Sequence, residues 1–462
     1  MGGLKEECGI FGFFNNDDYN AAEMIYYGLF ALQHRGQDSC GIAINDQGRI
    51  IYTKETGLVN EVFDEITLAH LQGKMGIGHV RYSTTGENLR ENAQPLVLKY
   101  TNGHMAVAHN GNIVNDASLR ADFQRMGFIF QSDTDSEVIA ALFSRERMKS
   151  PSLEKAIENS MRILKGAYSI MTLTRKKLIA ARDPLGIRPL VIGKLNNSHV
   201  VCSETAALNA IGAEFIRDVR PGEIIVITED GLKSIQVVSK EKSALCIFEH
   251  VYFARLDSVI DGSDVYESRL RAGQRLAEEY DIDADAVIGV PDSGIPSALG
   301  FAERSGLPYI DGLIKNRYVG RTFIQPTQSM REQSVNIKLS AIKCRVQGKR
   351  LIMIDDSIVR GTTSRKIVQM LKNAGAKEVH LLVSSPPVKF PCFFGIDIAL
   401  KEHLAANNLT QEDMRKSMGA DSLGYLSVEG LLDTPRGAKS GFCKACFDGR
   451  YPIDVSERLD GV

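Results

Sequence analysis

The chain contains no tryptophan and only eight cysteines among its 462 residues. Cysteine this sparse excludes a disulfide-stapled secreted scaffold and leaves metal-binding, catalytic or packing roles for the thiols. An excess of either charge is missing as well: 55 basic residues face 57 acidic ones, giving a net charge of -2 and a pI near 6.5. No basic field draws a nucleic-acid backbone, so nucleic acid is not expected as a partner. Long apolar runs are absent, none approaching the ~18 residues that span a bilayer, so no membrane is expected either. Residues 1–7 lack the apolar core of a secretory signal, and Glu6 stands where the myristoylation pattern requires Ser or Thr. A cytoplasmic location is the expectation.

What is present is ordinary for a globular protein, 44% hydrophobic and 24% charged, and long enough for about two to four domains. The first half has short strands between Gly, Asn and Asp turns, with helical patterns over residues 20–33, 116–126, 134–147 and 152–164. It reads as layers of sheet and helix. After the apolar stretch 223–228 the pattern lapses into Lys and Ser around 232–244, which places a boundary near residue 240. Beyond it, strands at 286–290, 351–354 and 379–383 alternate with helical patterns at 265–280, 297–305 and 363–374, which argues a parallel, doubly wound sheet. The last twenty or so residues read as an appended tail.

Residues 351–363 hold the densest chemistry: a four-residue apolar strand, the carboxylates Asp355 and Asp356, then Arg360, Gly361, Thr362 and Thr363 opening a helix. Gly361 lets the backbone bend close to a ligand, and the free N–H groups of the helix start suit a phosphate. The carboxylates can face sugar hydroxyls or a hydrated Mg²⁺. Taken singly, such acids are common at strand-to-helix junctions. In this order they match the phosphoribosyltransferase signature, which binds 5-phosphoribosyl-1-pyrophosphate. Asp292, Ser293 and Gly294 also follow an apolar strand; alone they read as a β-turn, but with the 355–363 segment they resemble that family's pyrophosphate loop, with Ser293 joining Asp355 and Asp356 around Mg²⁺. Between the two loops, residues 315–338 carry Lys315, Arg317, Arg321, Arg331 and Lys338 against one acid, Glu332. That stretch reads either as a solvated basic loop or as a lid that stabilises departing pyrophosphate and excludes water, and the second reading is favoured here.

At the other end, Cys8 precedes the apolar run 9–14. If residues 1–7 are a propeptide, Cys8 becomes N-terminal and its thiol lies beside an α-amino group of pKa roughly 7.7 to 8.0, a base for neutral pH. By itself the segment favours a buried strand cysteine. Residues 79–84, 108–113 and 132–137, together with Cys8-Gly-Ile-Phe-Gly, resemble the glutaminase domain of N-terminal-nucleophile amidotransferases. The resemblance makes Cys8 the nucleophile, Asn110 and the Gly111 N–H the oxyanion hole, Arg81 the partner of the glutamine α-carboxylate and Asp135 that of its α-amino group. His34, His79 and His109 are then structural, because such a mechanism needs no imidazole.

A glutaminase half (8–240) followed by a phosphoribosyltransferase half (241–462) resembles, over nearly the whole chain, the family of glutamine phosphoribosylpyrophosphate amidotransferases. The resemblance implies an N-terminal-nucleophile αββα domain, a type I phosphoribosyltransferase domain and synthesis of 5-phosphoribosylamine at the start of purine synthesis. It also implies a homotetramer inhibited by purine nucleotides. Cys443 and Cys446 have thiolate-metal spacing, yet one such pair is weak support for any metal. Cys246 and Cys392 match the other positions used by the family's iron-sulfur branch, so the resemblance selects a structural 4Fe-4S cluster where chemistry alone also allows Zn²⁺. Cys40, Cys202 and Cys344 are left as packing residues. Leu256 departs from the proline expected before Asp257 and Ser258. A hexosamine-forming amidotransferase and a non-catalytic regulator that binds the same sugar phosphate are the rivals; the 355–363 segment argues against the first, the glutaminase half against the second.

Overall fold

The computed structural model describes residues 8–82, 88–100, 103–237, 243–316, 338–396 and 401–459. Among the described residues the first half contains a seven-stranded and a six-stranded sheet, both paired antiparallel. Alternation along Gly9–Phe14 explains their stacking. Ile10 and Phe14 point into the cluster between the sheets, while Phe11 and Phe13 point into a second cluster with the helix Ala21–Ala31. A strand covered on both faces reads as one apolar run, as this one does. Asn20 caps the helix by accepting from the Ala22 N–H at 3.0 Å. Helices Asp116–Arg125, Asp135–Lys149 and Leu153–Met161 cover the outer face of the other sheet. The result is helix, sheet, sheet, helix.

In the second half, Ala286–Gly289, Arg350–Asp355, Glu378–Val383 and Ser422–Tyr425 form a wholly parallel sheet in that order. Ile352, Ile354 and Leu382 pack on one face against Leu276, Ala298 and Phe301. Leu351, Met353 and Leu381 pack on the other against Ile367, Val368 and Leu371. Both faces are therefore covered, as double winding requires. The strand Ser422–Tyr425 was not expected, because four residues including a glycine give no readable period. The boundary expected near 240 falls on residues 238–242, outside the described ones.

The halves share a core. Val114, Ala167, Leu185 and Ile187 of the first half lie in one cluster with Ile247, Phe248, Phe393 and Phe394 of the second. A buried ionic junction crosses the same seam: Arg35 donates to Glu204 of the first half and, at 2.8 and 2.9 Å, to both carboxylate oxygens of Glu249 of the second. Its Nε donates to the Cys8 carbonyl at 3.0 Å. Removing one member of such a buried set strands a charge, at a cost of about 3–5 kcal/mol.

Candidate functional site

Cys8 lies just before the strand Gly9–Phe14, which pairs with Met75–Arg81. That pairing brings the end of the second strand, Arg81 and Tyr82, next to the thiol, whose Sγ is 3.7 Å from the Tyr82 carbonyl oxygen. Cys8, Arg81, Gly111 and Asp135 line one small cavity together with Gln94 and His109. Four segments far apart in sequence thus meet at one place. Burial presses the Arg81 guanidinium below its ordinary value, and Cys8, Asp38 and Asp135 press it back up.

Asp135 opens the helix Asp135–Lys149, where an acid is favoured by the helix dipole. Burial works against its ionisation. The His109 ring, with Nδ1 3.6 Å away, and the Ile113 N–H, which donates to Asp135 Oδ2 at 3.0 Å, nevertheless hold the carboxyl below the usual range. Gly111 has φ +140°, a conformation that L side chains rarely adopt, and a Cβ there would stand 2.1 Å from the Ala167 carbonyl oxygen. Only glycine fits. Asn110 is buried between His109 and Gly111 and is not among the cavity-lining residues. Neither atom of its amide has a hydrogen-bond partner among the described residues. An unpartnered buried amide costs about 1–3 kcal/mol.

The structure adds residues that sequence reasoning passed over. Gln94 Oε1 accepts from the His109 N–H at 2.7 Å, and its Nε2 donates to Ser136 Oγ at 3.0 Å. It ties the strand carrying Gly111 to the helix carrying Asp135. Its one sequence signal is the proline that follows, across a cis Gln94–Pro95 bond. His109 faces the cavity and partners Asp135, so it is closer to the site than a purely structural histidine. His79 is fully buried, its Nε2 3.0 Å from the His109 carbonyl oxygen, and burial lowers its pKa to about 3. His34 instead meets Glu204 at 2.8 Å.

In the second half Asp355 ends the strand Arg350–Asp355, and the loop after Ala286–Gly289 folds over it. Ser293 Oγ donates to Asp356, as does Ser357 Oγ, and the Asp356 N–H donates to Asp355 Oδ1 at 3.0 Å. Lys315 Nζ meets Asp292 across the mouth. Burial, then the neighbouring Asp356, raises Asp355 well above the carboxylate range; burial also raises Asp356, against its two serine partners. Two buried adjacent acids that cannot both ionise unaided are a fitting seat for a divalent cation. Gly361, with φ +75°, turns the chain into the helix Thr362–Asn373, leaving Thr362, Thr363 and Arg360 exposed at its start. Gly294 packs where a Cβ would stand 2.5 Å from the Ile354 carbonyl oxygen. Arg317 and most of the expected lid, residues 317–337, lie outside the described residues. Its two ends are paired: Leu313–Lys315 runs antiparallel to Leu339–Ala341. The half-buried Tyr252 and the buried Arg269, also unforeseen, lie within the field of Asp356.

Cys246 and Cys443 are partners in a two-stranded parallel pairing, and Cys446 is buried where it feels Cys443, Cys246 and Cys392. Burial pushes the Cys443 thiol up to about 12. Such thiols stay protonated unless a metal takes the proton's place. Among the described residues no three His, Cys, Asp or Glu side chains are arranged to hold a single metal ion. Cys40 and Cys202 are buried packing residues, but Cys344 is exposed: it sits in the short helix Lys343–Val346, which buries only Val346. No helix among the described residues is long and apolar enough to cross a membrane.

A sequence profile described as a glutamine amidotransferase domain matches residues 79–210, and one described as a phosphoribosyl transferase domain matches residues 266–385. An amidophosphoribosyltransferase of Archaeoglobus fulgidus is 49% identical over 450 residues, covering 97% of this chain and 98% of the relative. One from Bacillus subtilis is 48% identical, with 98% and 95% covered. The solved structure of the glutamine phosphoribosylpyrophosphate amidotransferase from B. subtilis, complexed with ADP and GMP, superposes with a TM-score of 0.91 at 47% identity, covering 97% of this chain and 98% of that one.

Proposed function

The chain belongs to the amidophosphoribosyltransferase family, whose members open purine biosynthesis by moving ammonia from glutamine to 5-phosphoribosyl-1-pyrophosphate, and on that premise we propose how its own residues divide the work. Cys8, made N-terminal by removal of residues 1–7, gives its proton to its own α-amino group and attacks the glutamine side-chain carbonyl. The carbon–sulfur bond of a γ-glutamyl thioester forms, the carbon–nitrogen bond breaks and ammonia departs with the proton; water then releases glutamate. Asn110 and the Gly111 N–H stabilise the oxyanion, Arg81 grips the α-carboxylate and Asp135 the α-amino group. The observation that carries this reading is the shared cavity of Cys8, Arg81, Gly111 and Asp135.

Ammonia passes through the protein to C1 of the sugar and displaces pyrophosphate. Asp355 and Asp356 bind the ribose hydroxyls, residues 360–363 bind the 5'-phosphate, and Asp292, Ser293 and Gly294 bind the pyrophosphate with Lys315 and Arg317 of the lid. Ser293, Asp355 and Asp356 would hold a Mg²⁺, which when bound would supply positive charge beside the leaving pyrophosphate. The ammonia has to be sheltered, because in water it protonates and ceases to be a nucleophile. The four-thiol donor set of Cys246, Cys392, Cys443 and Cys446, free of carboxylate and imidazole, supports a structural 4Fe-4S cluster. A cytoplasmic homotetramer inhibited by purine nucleotides completes the proposal; the ADP and GMP bound to the B. subtilis relative support only its nucleotide-binding part.

The test is turnover by anaerobically purified protein with glutamine or ammonia as donor. Cys8→Ala should lose more than about 10⁴-fold of the glutamine-dependent rate and keep the ammonia-dependent one. A variant that keeps glutamine turnover, or loses ammonia turnover while folded, would end this division of labour. Intact mass reads the fate of residues 1–7, and iron and sulfide analysis separates a cluster from zinc.

A further inference from the structure

We infer that Arg458, in the last turn of the tail, is a positioning residue for glutamine. The inference rests on the glutaminase reading above and adds to it a residue from the opposite end of the chain. Beyond the pair Cys443 and Cys446, the tail is fixed at successive points. The Phe447 ring stacks on Phe248 at 5.3 Å; Tyr451 packs against Phe393 and Phe394 and donates to the Pro391 carbonyl at 2.8 Å; Val455 is buried. The chain then lands on the first half.

There Arg458 Nη2 donates to the Ile113 carbonyl at 3.1 Å and to Asp116 Oδ1 at 2.5 Å. The neighbouring Glu457 accepts from Ser118 Oγ at 2.7 Å and lies 3.6 Å from Lys165 Nζ. Two adjacent residues of opposite charge meet two partners of opposite charge. Only one orientation of the tail satisfies both, since the reverse sets Arg458 against Lys165 and Glu457 against Asp116.

The residue that Arg458 holds is the end of the strand Gly103–Ile113, two positions beyond Gly111. Ile113 is therefore gripped at both backbone groups, its N–H by Asp135 and its carbonyl by Arg458. Asn112 is tied at the same point, its Nδ2 donating to the Phe393 carbonyl at 2.9 Å. These ties set the spacing between Gly111, at the reacting end of glutamine, and Asp135, at its α-amino end. A misplacement on the order of 1 Å is enough to cost a large factor in a positioned reaction. Ammonia supplied from solution needs neither contact, so the effect belongs to glutamine alone.

The experiment compares wild type, Arg458→Met and Arg458→Lys as full chains, with L-glutamine and with ammonia as donor. Wild-type glutamine turnover is measured first; its absence alongside ammonia turnover would remove the glutaminase reading itself. Given that turnover, Arg458→Met should raise the KM for glutamine about 5- to 20-fold, with ammonia-dependent turnover and the KM for the sugar substrate within about twofold of wild type. Arg458→Lys, which keeps the pairing with Asp116, should recover most of the loss. An unchanged glutamine KM, a parallel fall in ammonia-dependent turnover, or a lysine variant no better than methionine would overturn the inference.

Discussion

Around Cys8 the charged groups alternate in sign, Arg81 facing Cys8, Asp38 and Asp135, and Asp135 facing His109. Around Asp355 like charges stand side by side, eased by hydroxyls from Ser293, Ser357 and Ser364 and by the buried Arg269 near Asp356. The first arrangement is electrostatically complete before any ligand arrives. The second is not, because burying two carboxylates in contact leaves them sharing protons until a cation comes. One site is thus organised by its own fold and the other by what it binds. The fold classes agree with this division: the first site is enclosed by stacked sheets, whereas the second opens at the carboxyl ends of parallel strands, where ligands of such sheets bind.

Beyond Cys8→Ala, the largest expected effect breaks the second site. Asp356→Asn should lower turnover about 10³-fold with either donor, several kcal/mol of lost charge stabilisation, measured as pyrophosphate release; a loss confined to glutamine would reverse the assignment of the two sites. Next, Asn110→Ala should lower kcat for glutamine about 10²-fold with little change in KM, while ammonia-dependent kcat stays as in wild type. Equal losses with both donors would show that Asn110 serves the fold rather than the oxyanion. The smallest effect concerns pH. His79 has an ordinary pKa of 6.5, lowered to about 3 by burial. The unfolded chain therefore binds a proton that the folded one refuses between those values, so stability falls as the pH drops through that window. His79→Gln should remove this contribution, gaining on wild type in urea unfolding by up to about 1.4 kcal/mol per pH unit below 6.5. Parallel curves would mean that the buried ring already carries the proton.

Legibility in sequence follows the same division. Asp355 to Thr363 is one strand end and the turn after it, so its chemistry is written contiguously and can be read without knowing the fold. The helices of both halves were legible as well: the expected 265–280, 297–305 and 363–374 are Val265–Glu279, Ile295–Ser305 and Thr362–Asn373. The first site is different. Its four segments are neighbours only because antiparallel strands pair Gly9 with Val80 and Asn110 with Ser169. Without the family resemblance Cys8 reads rather as a core cysteine. Gln94 carries only the proline that follows it as a local signal and Ser136 none, because their role lies in reaching each other across 42 positions. The Arg35–Glu249 pair spans 214. Cys344 failed for the opposite reason, since a four-residue helix on the surface has too short a period to show which side faces water.

Gly395 lies directly beneath the first site, where a Cβ would stand 3.1 Å from the carbonyl carbon of Gly111 and 3.0 Å from Arg188 Nη2. The two halves thus approach main chain to main chain at this point, with the Arg188 side chain alongside. Their architecture suggests interchangeable modules, but this seam makes them a matched pair. A chimera that joins this glutaminase half to another relative's second half has to bring a glycine to the 395 position. With anything larger there, the graft would push on the Gly111 Cα and carbonyl carbon, next to the N–H proposed for the oxyanion.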